Sequence, residues 1–282
     1  MNVDFTQITM SDKDYFKFAD MIYKLCGISL GDNKKELVKA RLLKRMRALG
    51  LVDFAKYYNY VNDPGHTEEL IEIANAVSTN VTYFFREEQH FAFLKNVLPE
   101  LIRKRTQAGE KIFRIWSAAA SSGEEIYTIL MVLFEAAPEL LNWDVRILGT
   151  DISTKALHAA HAGVYSKERL QNVPALLRGK YFSSDGCKDG FYRVVPALSS
   201  RSVFRRLNLM RPQFPFKKKF DFVFCRNVMI YFDKPTQETL VRKMKQYIVD
   251  GGYLFIGHAE SLINVDVDLK RVSSSVYQKV KI

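Results

Sequence analysis

Residues 112–127 read I-F-R-I-W-S-A-A-A-S-S-G-E-E-I-Y, and the change of character along this stretch decides the fold. A short apolar run (Ile112, Phe113, Ile115, Trp116) gives way to seven small residues, Ser117 to Gly123. Two glutamates and a long amphipathic apolar stretch, Ile126–Ala137, follow directly. That order predicts a strand, a tight loop and a helix start. Small residues in such a loop let bare backbone approach a ligand, because no side chain stands in the way. Asp151 lies 28 residues after Gly123 and closes a second apolar run, Val145–Gly149. A carboxylate at the end of the second strand, after a small-residue turn, is how doubly wound folds hold a ribose. The glycine pattern for dinucleotides is absent, since only Gly123 is present; an adenosine-type ligand is favoured over NAD. The competing interpretation is an ordinary strand–helix connection.

Outward from this core the pattern repeats. Strands at 112–116, 145–150, 220–225 and 252–257 alternate with helices at 124–136, 153–162 and 235–249, which predicts an α/β fold with a parallel, doubly wound sheet. Asp250-Gly251-Gly252 reads as a helix-terminating turn into a buried strand. The end, 269–282, alternates polar and apolar residues like an edge hairpin. Phe191, Arg193, Val195, Val203 and Phe204, with turns at Gly186 and Gly190, predict a small antiparallel β insertion at about 181–207. The first 88 residues differ. Tyr15, Phe18, Ala19, Ile22, Leu25 and Cys26 recur at helical spacing until Gly27. A second helical pattern runs to Gly50, a third covers 52–61 and ends at Asn62-Asp63-Pro64-Gly65, and a fourth covers 68–77. The division is therefore an all-helical domain at 1–88 and an α/β domain at 89–282.

At 282 residues, 48% hydrophobic and 26% charged, the chain has the composition of a soluble globular protein. No apolar run approaches the roughly 18 residues of a membrane span, and the start M-N-V-D-F-T-Q shows no signal peptide. Three scattered cysteines (Cys26, Cys187, Cys225) without zinc spacing suggest free thiols in a reducing cytoplasm. His158 and His161 are one helical turn apart with no acidic partner nearby, which does not make a metal site. The net charge is +11, yet residues 1–88 carry 12 basic and 13 acidic side chains. Seven of those cations fall between Lys34 and Arg47, against the single acid Glu36. Lys34, Arg41, Lys44 and Arg45 share about a third of a helix's circumference, beside an apolar stripe of Val38, Leu42, Met46 and Leu49. Such a face is either solvated or a contact for something acidic: nucleic acid, a membrane surface or a protein.

Three further groups carry chemistry. In N-V-T-Y-F-F-R, Asn80–Arg86, polar groups stand among aromatics; they either point hydrogen bonds and a cation into a cleft or cap a helix while the rings pack a seam. In F-D-F-V-F-C-R-N-V-M-I-Y-F-D, Phe220–Asp233, a strand emerges into Arg226-Asn227 at its carboxyl end, where ligands sit in open α/β sheets. Asn208-Leu209 follows the β insertion.

Taken together, N-V-T-Y-F-F-R, W-S-A-A-A-S-S-G-E-E, F-C-R-N-V-M-I-Y-F-D and the later G-H-A-E (Gly257–Glu260) resemble the CheR family, chemotaxis-receptor methyltransferases that use S-adenosylmethionine. The resemblance covers nearly the whole chain. It implies an all-helical N-terminal domain, a class I methyltransferase domain and a small β subdomain inserted within it. It implies that Asn80, Thr82, Arg86, Glu124, Asp151, Asn208, Leu209, Arg226 and Asn227 contact the cofactor or line its site, with Arg86 and Tyr231 nearest the transferred methyl. It also implies that the basic helix, with Arg41, Lys44 and Arg45, faces the receptor's acidic methylation helix. In some members the β subdomain docks a receptor-tail peptide. The products implied are a glutamyl methyl ester and S-adenosylhomocysteine, with no metal, no nucleic acid and no membrane insertion.

A glutamate side chain, with an ordinary pKa of about 4.3, is already a nucleophile at pH 7 and needs no general base. Two alternatives stay open. A nucleic-acid methyltransferase is suggested by the basic pI of about 9.4, but the position of the usual N/D-P-P-Y/F/W motif reads C-R-N-V, and Cys225 lacks the preceding proline of a cytosine-C5 nucleophile. A non-enzymatic cofactor sensor is opposed by the presence of Arg86 and Tyr231.

Overall fold

The computed structural model describes residues 7–262 and 268–280. Residues 281–282 of the expected hairpin, and residues 1–6 of the segment searched for a signal peptide, lie outside them. Four helices come first: α1 (Asp12–Cys26), α2 (Lys35–Leu49), α3 (Phe54–Asn62) and α4 (Thr67–Val77). Several of their ends are capped, and the stop at Gly27 is as expected. Ser11 accepts from the Asp14 amide at the start of α1, and Gly27, at φ 75°, closes it; Asp53 caps α3. These side chains and the left-handed glycine satisfy backbone groups that a helix end leaves open. The apolar stripes of α1 (Tyr15, Phe18, Ile22, Cys26) and α2 (Val38, Leu42, Met46) meet Phe54, Tyr57 and Ile73 in one buried cluster, against which Ile152 also packs.

The rest of the chain runs α5 (Glu88–Gln107), β1 (Ile112–Ser117), α6 (Glu124–Ala136), β2 (Asp144–Asp151), α7 (Thr154–Ala162), β3 (Val164–Ser166), α8 (Ala175–Tyr181) and β4 (Phe182–Ser183). It continues through β5 (Phe191–Val194), α9 (Pro196–Ser199), β6 (Ser202–Arg206), β7 (Phe220–Cys225), α10 (Lys234–Lys245), β8 (Ile248–Ile256), β9 (Leu269–Ser273) and β10 (Val276–Lys279). Seven strands form one sheet in the order β6-β2-β1-β7-β8-β10-β9. Pairings from β6 to β8 are parallel; β10 is antiparallel to both β8 and β9, giving the expected hairpin at that edge. Buried on both faces, β7 has all six residues out of solvent, as a parallel central strand requires.

Two expectations are corrected. The small antiparallel sheet is β3-β5-β4, drawn from 164–194 instead of 181–207. Val203 and Phe204 belong to β6, which pairs in parallel with β2 at the edge of the main sheet. An edge strand with one buried face alternates just as a hairpin strand does, so sequence pattern alone cannot separate the two. Secondly, α10 ends at Lys245, and Asp250-Gly251-Gly252 lies inside β8. The β7–β8 register jumps from Phe220↔Ile248 to Phe222↔Tyr253; the glycines form a bulge, with Gly251 at φ 80°. A Cβ on Gly252 would stand 2.9 Å from the Asp221 carbonyl oxygen.

Candidate active site

The carboxyl ends of β1, β2, β6 and β7 open into one cleft. Its floor is the small-residue loop after β1. The buried Trp116 indole donates to the Thr150 hydroxyl at 2.9 Å, which donates on to the Ala118 carbonyl at 3.1 Å. The Ala118 amide donates to Phe224 O and the Ala120 amide to Thr150 O, so three strands hold the loop. Asp151 braces its far side: one carboxylate oxygen accepts from the Ser121 amide and the other from the Ser153 amide, both at 2.9 Å. Burial pushes the Asp151 carboxyl above its ordinary pKa, and the amides of Ser153 and Ser121 work against that. Left-handed backbone at Phe85, Glu87, Ser121 and Asn227 lies in or beside this cleft. Such conformations cost on the order of 1–3 kcal/mol each and persist only where surrounding bonds over-determine them.

Those bonds form a carboxylate network behind the cleft wall. The Arg226 side chain, 2% exposed, donates to Glu125 at 3.0 Å and to Glu87 at 3.2 Å, and also to the Arg86 carbonyl. The other Glu87 oxygen accepts from the Asn227 side-chain amide at 3.0 Å and from the His258 backbone amide at 3.2 Å. Burial raises the Glu87 pKa, but the Asn227 hydrogen bond and the Arg226 charge outweigh it and hold the carboxyl below its ordinary value. Glu260 accepts from the backbone amides of Gly257, Asn227 and Ile230. Gly257 leaves room here: a Cβ would sit 2.9 Å from the Asn227 backbone nitrogen and 2.6 Å from its side-chain nitrogen. Together these contacts tie the 80–87 segment, the tip of β7 and the tip of β8 into one rigid wall.

A match to the description "CheR methyltransferase, SAM binding domain" spans residues 80–278, and a match to "CheR methyltransferase, all-alpha domain" spans residues 13–78. The chain belongs to the CheR methyltransferase family. It is 39% identical to a chemotaxis protein methyltransferase of Borreliella burgdorferi over 99% of this chain and 96% of the relative. It is 39% identical to chemotaxis protein methyltransferase 2 of Pseudomonas aeruginosa over 94% and 92% of the two chains. For the chemotaxis protein methyltransferase of Escherichia coli the figures are 36%, 96% and 92%.

In this CheR-family chain the cleft brings together Asn80, Thr82, Arg86, Asp151, Asn208, Leu209, Arg226, Asn227 and Tyr231 from four separate segments. Arg86 donates to Val81 O at 2.9 Å and lies over the Tyr83 ring, on the cleft wall. The expectation for Glu124 is corrected. It is 0% exposed, accepts from the Ser122 hydroxyl and pairs with Arg169 at 2.7 Å, and is not among the described residues lining the cleft. Its neighbour Glu125, about 100° further round α6, lines the cleft and accepts from the Ser117 hydroxyl at 2.7 Å. Sequence reasoning also missed the helical domain's share. Cys26 and Ile28 line the cleft, the Ser29 amide donates to Tyr231 O at 2.8 Å, and the Asn208 side chain donates to Leu25 O at 2.6 Å. Nothing in the sequence around Gly27 signals this. Glu260 stood in G-H-A-E without a role, and Glu87 follows directly on the N-V-T-Y-F-F-R stretch.

The basic helix of the CheR-family chain is largely engaged by its own fold. Arg45 pairs with Glu69 at 2.8 Å and with Glu72 at 3.3 Å; Glu69 also accepts from the Tyr57 hydroxyl at 2.7 Å. Arg41 donates to Val77 O and to the Thr79 hydroxyl. Lys35 and Lys39 pair with Asp12 and Glu36. Lys44 is exposed.

Glu87, His90 and His258 bring donor atoms within 4.8 Å of one another. Glu87 already accepts from Arg226, Asn227 and His258, and burial with the Arg226 charge lowers the His90 pKa to about 3. All three cysteines are free, and burial pushes the Cys225 thiol well above its ordinary pKa, which makes it a poor nucleophile.

Proposed function

We propose that this protein transfers the methyl group of S-adenosylmethionine to glutamate side chains of chemotaxis receptors, in the cytoplasm, and so adjusts receptor signalling. The observation that supports it most is the convergence of 80–86, 118–121, Asp151, 207–209 and 226–231 on one cleft, within the span that matches the SAM-binding domain. The cofactor, when bound, supplies an electrophilic methyl on a sulfonium centre. Asp151, at the end of β2, holds the ribose hydroxyls, and the 118–121 loop lets backbone approach the remainder of the molecule. Asn208, Leu209 and Asn227 complete the wall around it. Arg86 orients the incoming carboxylate by a paired hydrogen bond, beside the Tyr231 ring. The carboxylate loses charge as it reacts, so over-tight ground-state binding would raise the barrier. Alignment of the two reactants is therefore the main source of rate, on the order of 7–11 kcal/mol in favourable cases. Helix α2, through Lys44 and the flanking Arg41 and Arg45, contributes to receptor recognition. The β3-β5-β4 sheet leaves β3 and β4 each paired on one side only among the described residues, which suits addition of an extended receptor-tail peptide.

The deciding experiment follows tritiated methyl from the cofactor into receptor-containing membranes and, separately, into DNA and RNA. Base-labile release as methanol from the receptor fraction is the expected result. Label in nucleic acid, or no transfer to receptor, overturns the proposal.

A further inference from the structure

A second positive stretch of this protein, without the ion pairing of α2, lies outside that helix. Residues 190–219 contain eight cations and no acid, which accounts for most of the net charge of +11. Whereas the cations of α2 face Asp12, Glu36, Glu69 and Glu72, none of these eight is ion-paired among the described residues. Where Arg205 and Arg206 hydrogen-bond, the acceptors are carbonyls: Arg205 donates to Phe204 O and Arg206 to Ile152 O. A guanidinium bonded to a carbonyl keeps its full charge. Arg205 and Arg206 are exposed and lie at the end of β6, an edge of the main sheet that is unpaired among the described residues.

Their position matters as much as their charge. Arg206 stands in register with Asp151, and the next residue, Leu207, lines the cleft. Strand residues are about 3.3 Å apart, so Arg206 is within one Debye length, roughly 8 Å at physiological salt, of the cleft mouth. We infer that Arg205 and Arg206, at the tip of β6, form a docking surface for the acidic helix that carries the target glutamate, separate from α2. This rests on the reading of the protein as a receptor glutamate methyltransferase. Charge complementarity commits the surface to an acidic helical partner: its field acts beside the mouth through which the carboxylate must enter, and exposed charges at an interface rim set encounter rate and salt dependence. Arginines on a free sheet edge also prevent strand-to-strand aggregation, a role independent of receptor kinetics.

The test compares the full-length wild type with Arg205→Glu/Arg206→Glu and Arg205→Lys/Arg206→Lys, in methyl transfer to receptor-containing membranes across a salt series, with cofactor affinity measured by calorimetry. Reversal is expected to raise the apparent KM for receptor about fivefold at low salt, to flatten its salt dependence and to leave cofactor affinity unchanged. The lysine variant is expected to stay close to wild type. If the glutamate variant loses cofactor binding through misfolding, Arg205→Gln/Arg206→Gln gives the same comparison with the charge only removed. Wild-type KM at every salt concentration in a folded variant overturns the docking surface alone. Failure of the wild type itself to methylate receptor overturns the functional reading and this surface with it.

Discussion

Glu87 and Asn227 are 140 residues apart in the chain, and a 3.0 Å hydrogen bond from the Asn227 amide to the Glu87 carboxylate joins them. Both residues have left-handed backbone, at φ 58° and 56°. One carboxylate thereby holds two strained turns in place and neutralises the buried Arg226 as well. Removing it leaves a buried guanidinium with Glu125 as its remaining carboxylate partner. Glu87→Ala is expected to lower stability by about 3 kcal/mol, and to weaken cofactor binding because Asn227 and Arg226 lose their anchor. Urea unfolding and calorimetry check both; unchanged cofactor affinity in the folded variant would separate Glu87 from the cleft.

Gly257 supplies the space that Asn227 occupies. Gly257→Ala forces the Asn227 side chain off Glu87, and we expect at least a tenfold loss of cofactor affinity with the far-ultraviolet circular dichroism unchanged. Wild-type affinity in this variant would show that Asn227 does not contact the cofactor.

Asp151 has two tasks, a ribose contact and the bracing of the Ser121 and Ser153 amides. Asp151→Ala orphans two buried donors at about 1–3 kcal/mol each, so melting temperature and cofactor affinity are expected to fall together. Asp151→Asn, which keeps an acceptor oxygen, is expected to recover part of the stability but not the affinity. A differential scanning and titration series on the two variants resolves the tasks.

Arg45 serves the helical domain's interior. Glu69 is 6% exposed, and without Arg45 its carboxylate keeps the Tyr57 hydroxyl but no close cation. Arg45→Ala is expected to destabilise the protein by about 3 kcal/mol, whereas Lys44→Glu leaves stability within about 0.5 kcal/mol and raises the KM for receptor. Equal melting temperatures for wild type and Arg45→Ala would remove the structural role.

His90 confers an acid sensitivity. Its ring is fully buried with neither nitrogen hydrogen-bonded, and burial followed by the Arg226 charge lowers its pKa from 6.5 to about 3. The unfolded chain takes up this proton below pH 6.5 while the folded one does not. The contribution is therefore complete above pH 6.5 and declines as pH falls toward 3, at about 1.4 kcal/mol per unit. Denaturant unfolding from pH 7 to 4 should show a shallower decline for His90→Gln than for wild type. Parallel profiles would place the acid sensitivity elsewhere.

Much of the architecture is legible in local pattern. Apolar runs at 112–116, 145–150 and 220–225 became strands of one parallel sheet, and the stripes of α1 and α2 became buried faces, because burial periodicity is a property of the chain itself. The convergence of Asn80, Asp151, Asn208 and Arg226 on one cleft follows from strand ends sharing one edge of such a sheet. The small sheet and β6 were misassigned because strand alternation carries no information about which strand is the neighbour.

Sequence alone determined the central strands of the main sheet, the helical and α/β parts, the family, and the stretches that meet at the cleft, since each depends on residues close together in the chain or on a contiguous motif. Tertiary structure alone decided that Glu125 and not Glu124 faces the cleft, that Gly27's neighbours contribute to its wall, and that Arg45 is held by Glu69 while Arg205 and Arg206 form no ion pair among the described residues. Each of those outcomes depends on which groups from distant segments come within a few ångströms, where hydrogen bonding and Coulomb attraction act, and no local pattern encodes that distance.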